Sequence, residues 1–198
     1  RHCDVTRTED LAGAFACAFE HFGRLDVAFN NAGIGGEDLF ADDPGDWAKV
    51  IDIDLTAVID ATRIAVREMR RSGRGGVIIN TASMGGLLPM AGSPVYAAAK
   101  AGVVNFTRSL AYLAEEANIR VNAIAPGGIM TEGAAGTTDG GGLDEAAREA
   151  IESAMVARIP VGRFGQPDDI ATVAVFLASS AASYMTGETV LVDGGALV

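Results

Sequence analysis

The sequence predicts an α/β fold, a doubly wound parallel sheet covered by helices on both faces. Short, continuously apolar runs alternate with long segments of helical periodicity, and each run ends in a polar or glycine-rich stretch, the arrangement of parallel strands that end at a ligand-facing edge. Size agrees: 198 residues, 49% hydrophobic and 21% charged, suffice for one domain with a buried core and are too few for a comfortable division in two.

Thr6 and Glu9 stand at capping-box spacing ahead of Leu11, Phe15, Ala18, Phe19 and Phe22, so a helix is predicted at once. Residues 25–30 (LDVAFN), between Gly23 and a glycine cluster, read as a buried strand. A loop with Pro44 and Gly45 leads to a long helix over 46–71, where Trp47, Val50, Ile51, Leu55, Val58, Ile59, Ala65, Val66 and Met69 recur at helical spacing until Ser72-Gly73 stops it. Residues 77–81 (VIINT) form the second strand. After an irregular glycine-rich loop, a helix over 95–117 is so rich in small and apolar residues that it packs on two sides. Residues 119–125 (IRVNAIA) are the third strand, ended by Pro126-Gly127. The segment 132–142 is glycine-rich and reads as a mobile loop, part of a substrate-loop region over 131–160 within the single domain 1–198. Helices over 144–158 and 167–179 and a strand over 189–192 follow, ahead of Asp193-Gly194-Gly195. No internal repeat is present.

Acids outnumber bases 26 to 15, and a net charge of −11 repels phosphate backbones and anionic lipids, which excludes nucleic acid and membrane partners. Cys3 and Cys17 are too few and too close to staple the fold, so both read as free thiols in a reducing compartment. No apolar run reaches the ~18 residues of a membrane span, and Arg1-His2-Cys3-Asp4 does not open a signal peptide; the expected location is the cytoplasm. No metal site is expected.

Only two lysines occur, Lys49 and Lys100, and Lys100 follows Tyr96 by four residues, so the pair shares a helix face. An ammonium beside a phenol favours the phenolate and is expected to lower the tyrosine's pKa toward useful acid–base work. Ser83, thirteen residues before Tyr96 and just past a strand, is placed to hydrogen-bond a substrate oxygen. Taken alone, the pair also fits a tyrosine packed at a helix start and a solvated lysine head.

Four motifs stand in order and spacing: Asn30-Asn31-Ala32-Gly33, Ser83 with Tyr96-Ala97-Ala98-Ala99-Lys100, Pro126-Gly127-Gly128-Ile129-Met130-Thr131, and Asp193-Gly194-Gly195. Together they resemble the short-chain dehydrogenase/reductase family, with a likeness running from Asp4-Val5-Thr6 to the last residues. The resemblance implies a Rossmann-like sheet and an NAD or NADP cofactor. It implies that Tyr96 passes a proton to or from the substrate oxygen, that Lys100 lowers its pKa and binds the nicotinamide ribose, and that Ser83 holds the substrate oxygen. Asp4 and Val5 match positions that contact adenine; Asn30, Ala32 and Gly33 match a turn against the cofactor ribose; Pro126 and Gly127 open the segment in which Ile129 and Thr131 match contacts to the carboxamide. Asn30 and Asn31 fit strand-end capping equally well, and Gly33 and Gly127 fit simple turns.

Two departures stand out. Where the family usually carries an asparagine in a proton relay, this chain has Asp54, in Asp52-Ile53-Asp54-Leu55. Its carboxylate can accept a hydrogen bond, and it can pair with Lys100 and tighten the lysine's hold on its proton; activity is expected to survive the change. The family also opens with a strand, a glycine-rich turn and a helix whose N-terminus receives the pyrophosphate, and nothing here corresponds. Gly33-Ile34-Gly35-Gly36-Glu37-Asp38 has Asp38 where the third glycine of that fingerprint belongs, and it follows the wrong strand. By resemblance the chain is N-terminally truncated by roughly 50 to 60 residues, which leaves the strand over 25–30 at an exposed sheet edge.

The expected function is hydride transfer between a nicotinamide and a secondary alcohol or ketone of small to medium, moderately apolar character. The alternative is an inert fragment, or an oligomerising scaffold that cannot hold cofactor. An epimerase or dehydratase fits the length and the Asp193-Gly194-Gly195 ending less well. Helices near 46–71 and 95–117 carry more apolar surface than one sheet face covers, which implies a homodimer or homotetramer, as in the family. Leu87, Leu88, Pro89 and Met90 read either as pocket wall or as loop anchors in the core. With Gly86 and Val95-Tyr96 they faintly resemble hydroxy-prostaglandin and hydroxysteroid dehydrogenases, without assigning a substrate.

Overall fold

A computed structural model of the chain describes residues 2–36, 39–42, 45–131 and 145–197. Its four strands, β1 (Val27–Asn30), β2 (Gly76–Thr81), β3 (Ile119–Pro126) and β4 (Thr189–Val192), are all parallel and lie side by side in sequence order. The predicted parallel sheet is present. Its described strands run in one direction without reversal, and β1 stands at the edge, as expected.

The helices are α1 (Thr8–Phe22), α2 (Trp47–Ile51), α3 (Ala57–Ser72), α4 (Pro94–Ser109), α5 (Leu113–Ala117), α6 (Glu145–Val156) and α7 (Pro167–Ala178). One sheet face packs on α3, α4 and α5 through Ala28, Ile78, Val121, Ala123 and Ala125. The other packs on α7, where Val77, Ile79 and Ile124 meet Ala174 and Leu177. Alternation along the strands sends successive residues to opposite layers. On the α7 side β1 has little cover, so Val27 and Phe29 remain 41% and 40% exposed. α1 lies outside α3, with Leu11 against Ala61 and Ile64.

Three local readings need correction. The Thr6–Glu9 capping box does not form: α1 starts one residue later, with Arg7 at its N-cap and no side-chain cap. The Asp4 carboxylate captures Thr6 instead, accepting from its N–H at 3.0 Å and its hydroxyl at 2.8 Å, because a charged acceptor two residues away closes a tight turn. The helix over 46–71 is continuous but swells into a π-helical turn at Asp52–Thr56 between α2 and α3. The helix over 95–117 breaks after Ser109; α5 then carries Leu113 into the cluster with Leu25 and Ile119 and ends at Asn118, whose φ of 54° turns the chain into β3. The stop at Gly73 is as predicted: its φ of 67° closes α3 in a left-handed turn. Of the proposed loop region over 131–160, residues 132–144 lie outside the described residues, as do Glu37, Asp38 and Pro44.

A buried polar ladder fixes the register beneath the site. The Asn30 amide donates to Asn80 Oδ1 at 2.8 Å and to Thr62 Oγ1 at 3.0 Å, and the Asn80 amide donates to Thr107 Oγ1 at 2.9 Å. Asn80 and Thr107 have no exposed surface. Removing the middle rung strands its neighbours away from water, so Asn80→Ala is expected to lower unfolding free energy by about 2 kcal/mol or more, read from urea denaturation. A loss below ~0.5 kcal/mol would mean the ladder carries no stability.

Candidate active site

The carboxyl ends of β1, β2 and β3 open onto one cavity of about 830 Å³. Its wall includes Gly33, Asp54, Ser83, Tyr96, Lys100, Pro126, Gly127, Ile129 and Thr131, nine of the residues singled out in the sequence. A smaller hollow of about 160 Å³ beside α1 is lined by Val5, Asn30 and Ala32, and Phe29 and Asn31 belong to both. Asp4 lines neither; its carboxylate is taken by Thr6.

Tyr96 and Lys100 lie one turn apart on α4, which Pro94 starts by supplying a preset φ where no N–H is needed. Lys100 is 3% exposed, and its ammonium donates to the Thr81 carbonyl at 3.1 Å and pairs with Asp54 Oδ1 at 3.0 Å. Asp54 is fully buried in the π-helical turn, where Oδ1 also accepts the Ile34 N–H at 3.3 Å and Oδ2 has no partner. One carboxylate thus ties the loop after β1 to α4. Gly33 makes the approach possible, since a Cβ there would stand 2.7 Å from Asp54 Oδ1.

Ser83 Oγ accepts the Gly85 N–H at 3.0 Å and shares the cavity wall with the Tyr96 phenol. The loop after β1 closes over Tyr96: a Cβ on Gly36 would fall 2.7 Å from Tyr96 Cβ, and Ser93 Oγ donates to the Gly36 carbonyl at 2.8 Å. Beyond β3, Gly127 lies against Asp193, whose backbone leaves no room for a side chain. The Asp193 carboxylate then gathers the N–H groups of Gly195 and Leu197 at 2.9 and 2.8 Å. Ile129 is held by a single bridge to Gly165. The terminal Asp-Gly-Gly therefore braces the segment that carries Ile129 and Thr131.

The electrostatics overturn one expectation. Burial raises the Tyr96 pKa above its ordinary value of 10, the Ser83 hydrogen bond opposes the rise, and the Asp54 charge adds to it. The tyrosine is thus displaced upward where a lowering was anticipated; the Lys100 ammonium lies 5.6 Å from its ring centroid and pairs with Asp54. Burial likewise raises the Asp54 pKa above its ordinary 3.8, against the pull of Lys100 and the Ile34 N–H.

Sequence reasoning missed the Thr81 carbonyl, the Ile34 N–H and the cavity wall from Pro167, Ile170 and Ala171 of α7; main-chain donors and a distant helix leave no motif. Leu87 to Met90 do not line the cavity. The Met90 thioether packs over Gly85, while Leu87 is 41% exposed and none of the four belongs to a core cluster.

The family model described as enoyl-(acyl carrier protein) reductase matches residues 1–196. The chain is 36% identical over 196 residues to a 3-oxoacyl-(acyl-carrier-protein) reductase of Thermotoga maritima, covering 98% of this chain and 75% of that protein. It is 41% identical over 178 residues to a 3α-hydroxysteroid dehydrogenase of Mediterraneibacter gnavus, covering 89% and 67%. A crystal structure of a short-chain type dehydrogenase/reductase from Mycobacterium marinum superposes with a TM-score of 0.86 at 33% identity, over 99% of this chain and 74% of that one. With the serine, tyrosine and lysine gathered at the strand ends of a parallel sheet, these likenesses establish that the chain belongs to the short-chain dehydrogenase/reductase family, NAD(P)-dependent oxidoreductases that act on hydroxyl and keto groups.

Proposed function

We propose that this chain interconverts a secondary alcohol and its ketone, with Tyr96 carrying the proton. The observation behind this reading is the convergence of Ser83, Tyr96 and Lys100 on one cavity wall. The cavity, about 830 Å³, is of a size to hold a nicotinamide riboside beside a small substrate. Lys100 is the cation in its wall, an N–H donor suited to ribose hydroxyls. No glycine-rich turn opening a helix stands among the described residues, so the fit concerns the nicotinamide half of the cofactor.

When bound, the nicotinamide supplies or accepts the hydride. Ser83 holds the substrate oxygen within reach of the Tyr96 hydroxyl, which gives its proton to a forming alcohol or takes one from an alcohol being oxidised. Ile129 and Thr131, fixed by the Gly165 bridge and the Asp193 brace, flank the carboxamide in this reading. Gly33, Pro126 and Gly127 contribute backbone to the same wall. Asp4, Val5, Asn30 and Ala32 belong to the adenosine side, around the smaller hollow that Val5, Asn30 and Ala32 line. Among the described residues, the charged side chains lining the cavity are Asp54 and Lys100, which neutralise each other, and Ile34, Ile129 and Ile170 add apolar wall. The substrate is accordingly an uncharged, moderately apolar alcohol or ketone. A second copy of the chain is the proposed macromolecular partner, met near 46–71 and 95–117, where Trp47, Ile59 and Tyr112 are 52%, 39% and 56% exposed.

No described helix is long and apolar enough to cross a membrane. Calorimetric titration with NADH and, separately, NADPH is expected to give saturable binding of one of them. No heat from either, in a sample shown to be folded, would favour the scaffold reading for this chain. With the bound cofactor identified, Tyr96→Phe is expected to lower kcat by about 10² to 10⁴-fold while cofactor affinity is kept; unchanged turnover would remove Tyr96 from the proton path.

A further inference from the structure

We propose that Asp54 is a positioning residue that keeps Tyr96 a proton donor: by holding the Lys100 ammonium inside the fold, it cancels the charge that would otherwise favour the phenolate. The inference deepens the catalytic reading above, and its consequence for turnover rests on that reading. Its physical content is an electrostatic coupling that exists without cofactor.

The geometry sets the sign. Lys100 Nζ lies 5.6 Å from the Tyr96 ring centroid and 3.0 Å from Asp54 Oδ1, with both charged groups closed off from water. Seen from the phenol, ammonium and carboxylate act as a dipole rather than as a cation, and most of the attraction between Lys100 and a phenolate is lost. Besides Lys100 the Asp54 carboxylate accepts only the Ile34 N–H among the described residues, and it belongs to the same cavity wall as Tyr96, so its negative charge bears on the phenol. Among the described residues, the charged groups that bear on Tyr96 are Lys100 from its own helix and Asp54 from the π-helical turn. Of the described residues in the loop after β1, Gly36 packs its backbone on Tyr96, and the loop after β2 brings the Ser83 hydroxyl. At neutral pH the site is therefore ready to give a proton to a carbonyl. Alcohol oxidation, which needs the deprotonated phenol, increases as pH rises into the alkaline range.

The test uses the full chain, cofactor-free, with ¹³C at tyrosine Cζ. The chain has three tyrosines, and the exposed Tyr112 and Tyr184 serve as internal references. Tyr96 is expected to titrate above its ordinary value of 10. Asp54→Asn is expected to bring it down by about one unit or more, and Lys100→Met to raise it further. Asp54→Ser is the second neutral variant should Asp54→Asn fail to fold, with circular dichroism checking the fold at each pH. Titration of Tyr96 together with the references in the unsubstituted chain overturns the proposal, and that arm needs no variant. So does a folded neutral variant in which Tyr96 does not move. Calorimetry with NADH and NADPH reads the catalytic reading separately, so its failure and the failure of the coupling are distinguishable.

Discussion

The Lys100–Asp54 pair is the joint on which the site depends. Two opposite charges lie 3.0 Å apart with almost no exposure, and such a pair loses hydration that only good geometry and further hydrogen bonds can offset. Both supports are present, the Thr81 carbonyl on the ammonium and the Ile34 N–H on the carboxylate. Four segments meet there: the end of β2, the loop after β1, the π-helical turn and α4. A π turn holds one residue more than an α turn, and such insertions are frequent at functional sites. Here it falls on the residues that carry Asp54 into the wall of the cavity. Gly33 is the steric counterpart, because a side chain there would displace the carboxylate.

Around this joint the rest of the fold acts as scaffolding. The Asn30, Thr62, Asn80 and Thr107 ladder holds β1 and β2 in register with α3 and α4, so the ends of the strands, where the site is built, cannot slide. On the far side, Asp193 binds the last residues to its own carboxylate and leaves room only for glycine at position 127. The two devices clamp the cavity from opposite strands. Both are made of short polar side chains acting on backbone or on each other, which give rigid geometry at little cost in side-chain entropy.

Most of the strands were legible because burial on two faces leaves continuous apolar runs such as VIINT and IRVNAIA, and the proposed catalytic trio was legible because serine, tyrosine and lysine stand at spacings a strand end and a helix turn impose. What the sequence concealed was decided by tertiary contact. Nothing in Asp52-Ile53-Asp54-Leu55-Thr56 announces a π turn, since the same residues fit an ordinary helix. The break after Ser109 has no glycine or proline to mark it. Thr6 and Glu9 matched a capping box in spacing, yet a nearer carboxylate at Asp4 won the hydroxyl. Asp54 was recognisable as a departure, and its pairing with Lys100 was one of two readings open to it. The effect on Tyr96 was not legible, because the acidity of a phenol depends on whether its cationic neighbour is already matched, and that requires distances.

The central claim is that Lys100 is held by Asp54 inside the folded chain. With only two lysines in the sequence, ¹⁵N-lysine labelling and observation of the side-chain ammonium groups at neutral pH test it directly. Lys49 is exposed and serves as the solvent-exchanging reference. The account expects one slowly exchanging ammonium signal, from Lys100, that is shifted or lost in Asp54→Asn. Two rapidly exchanging lysines, or a Lys100 signal indifferent to that substitution in a folded protein, would contradict it.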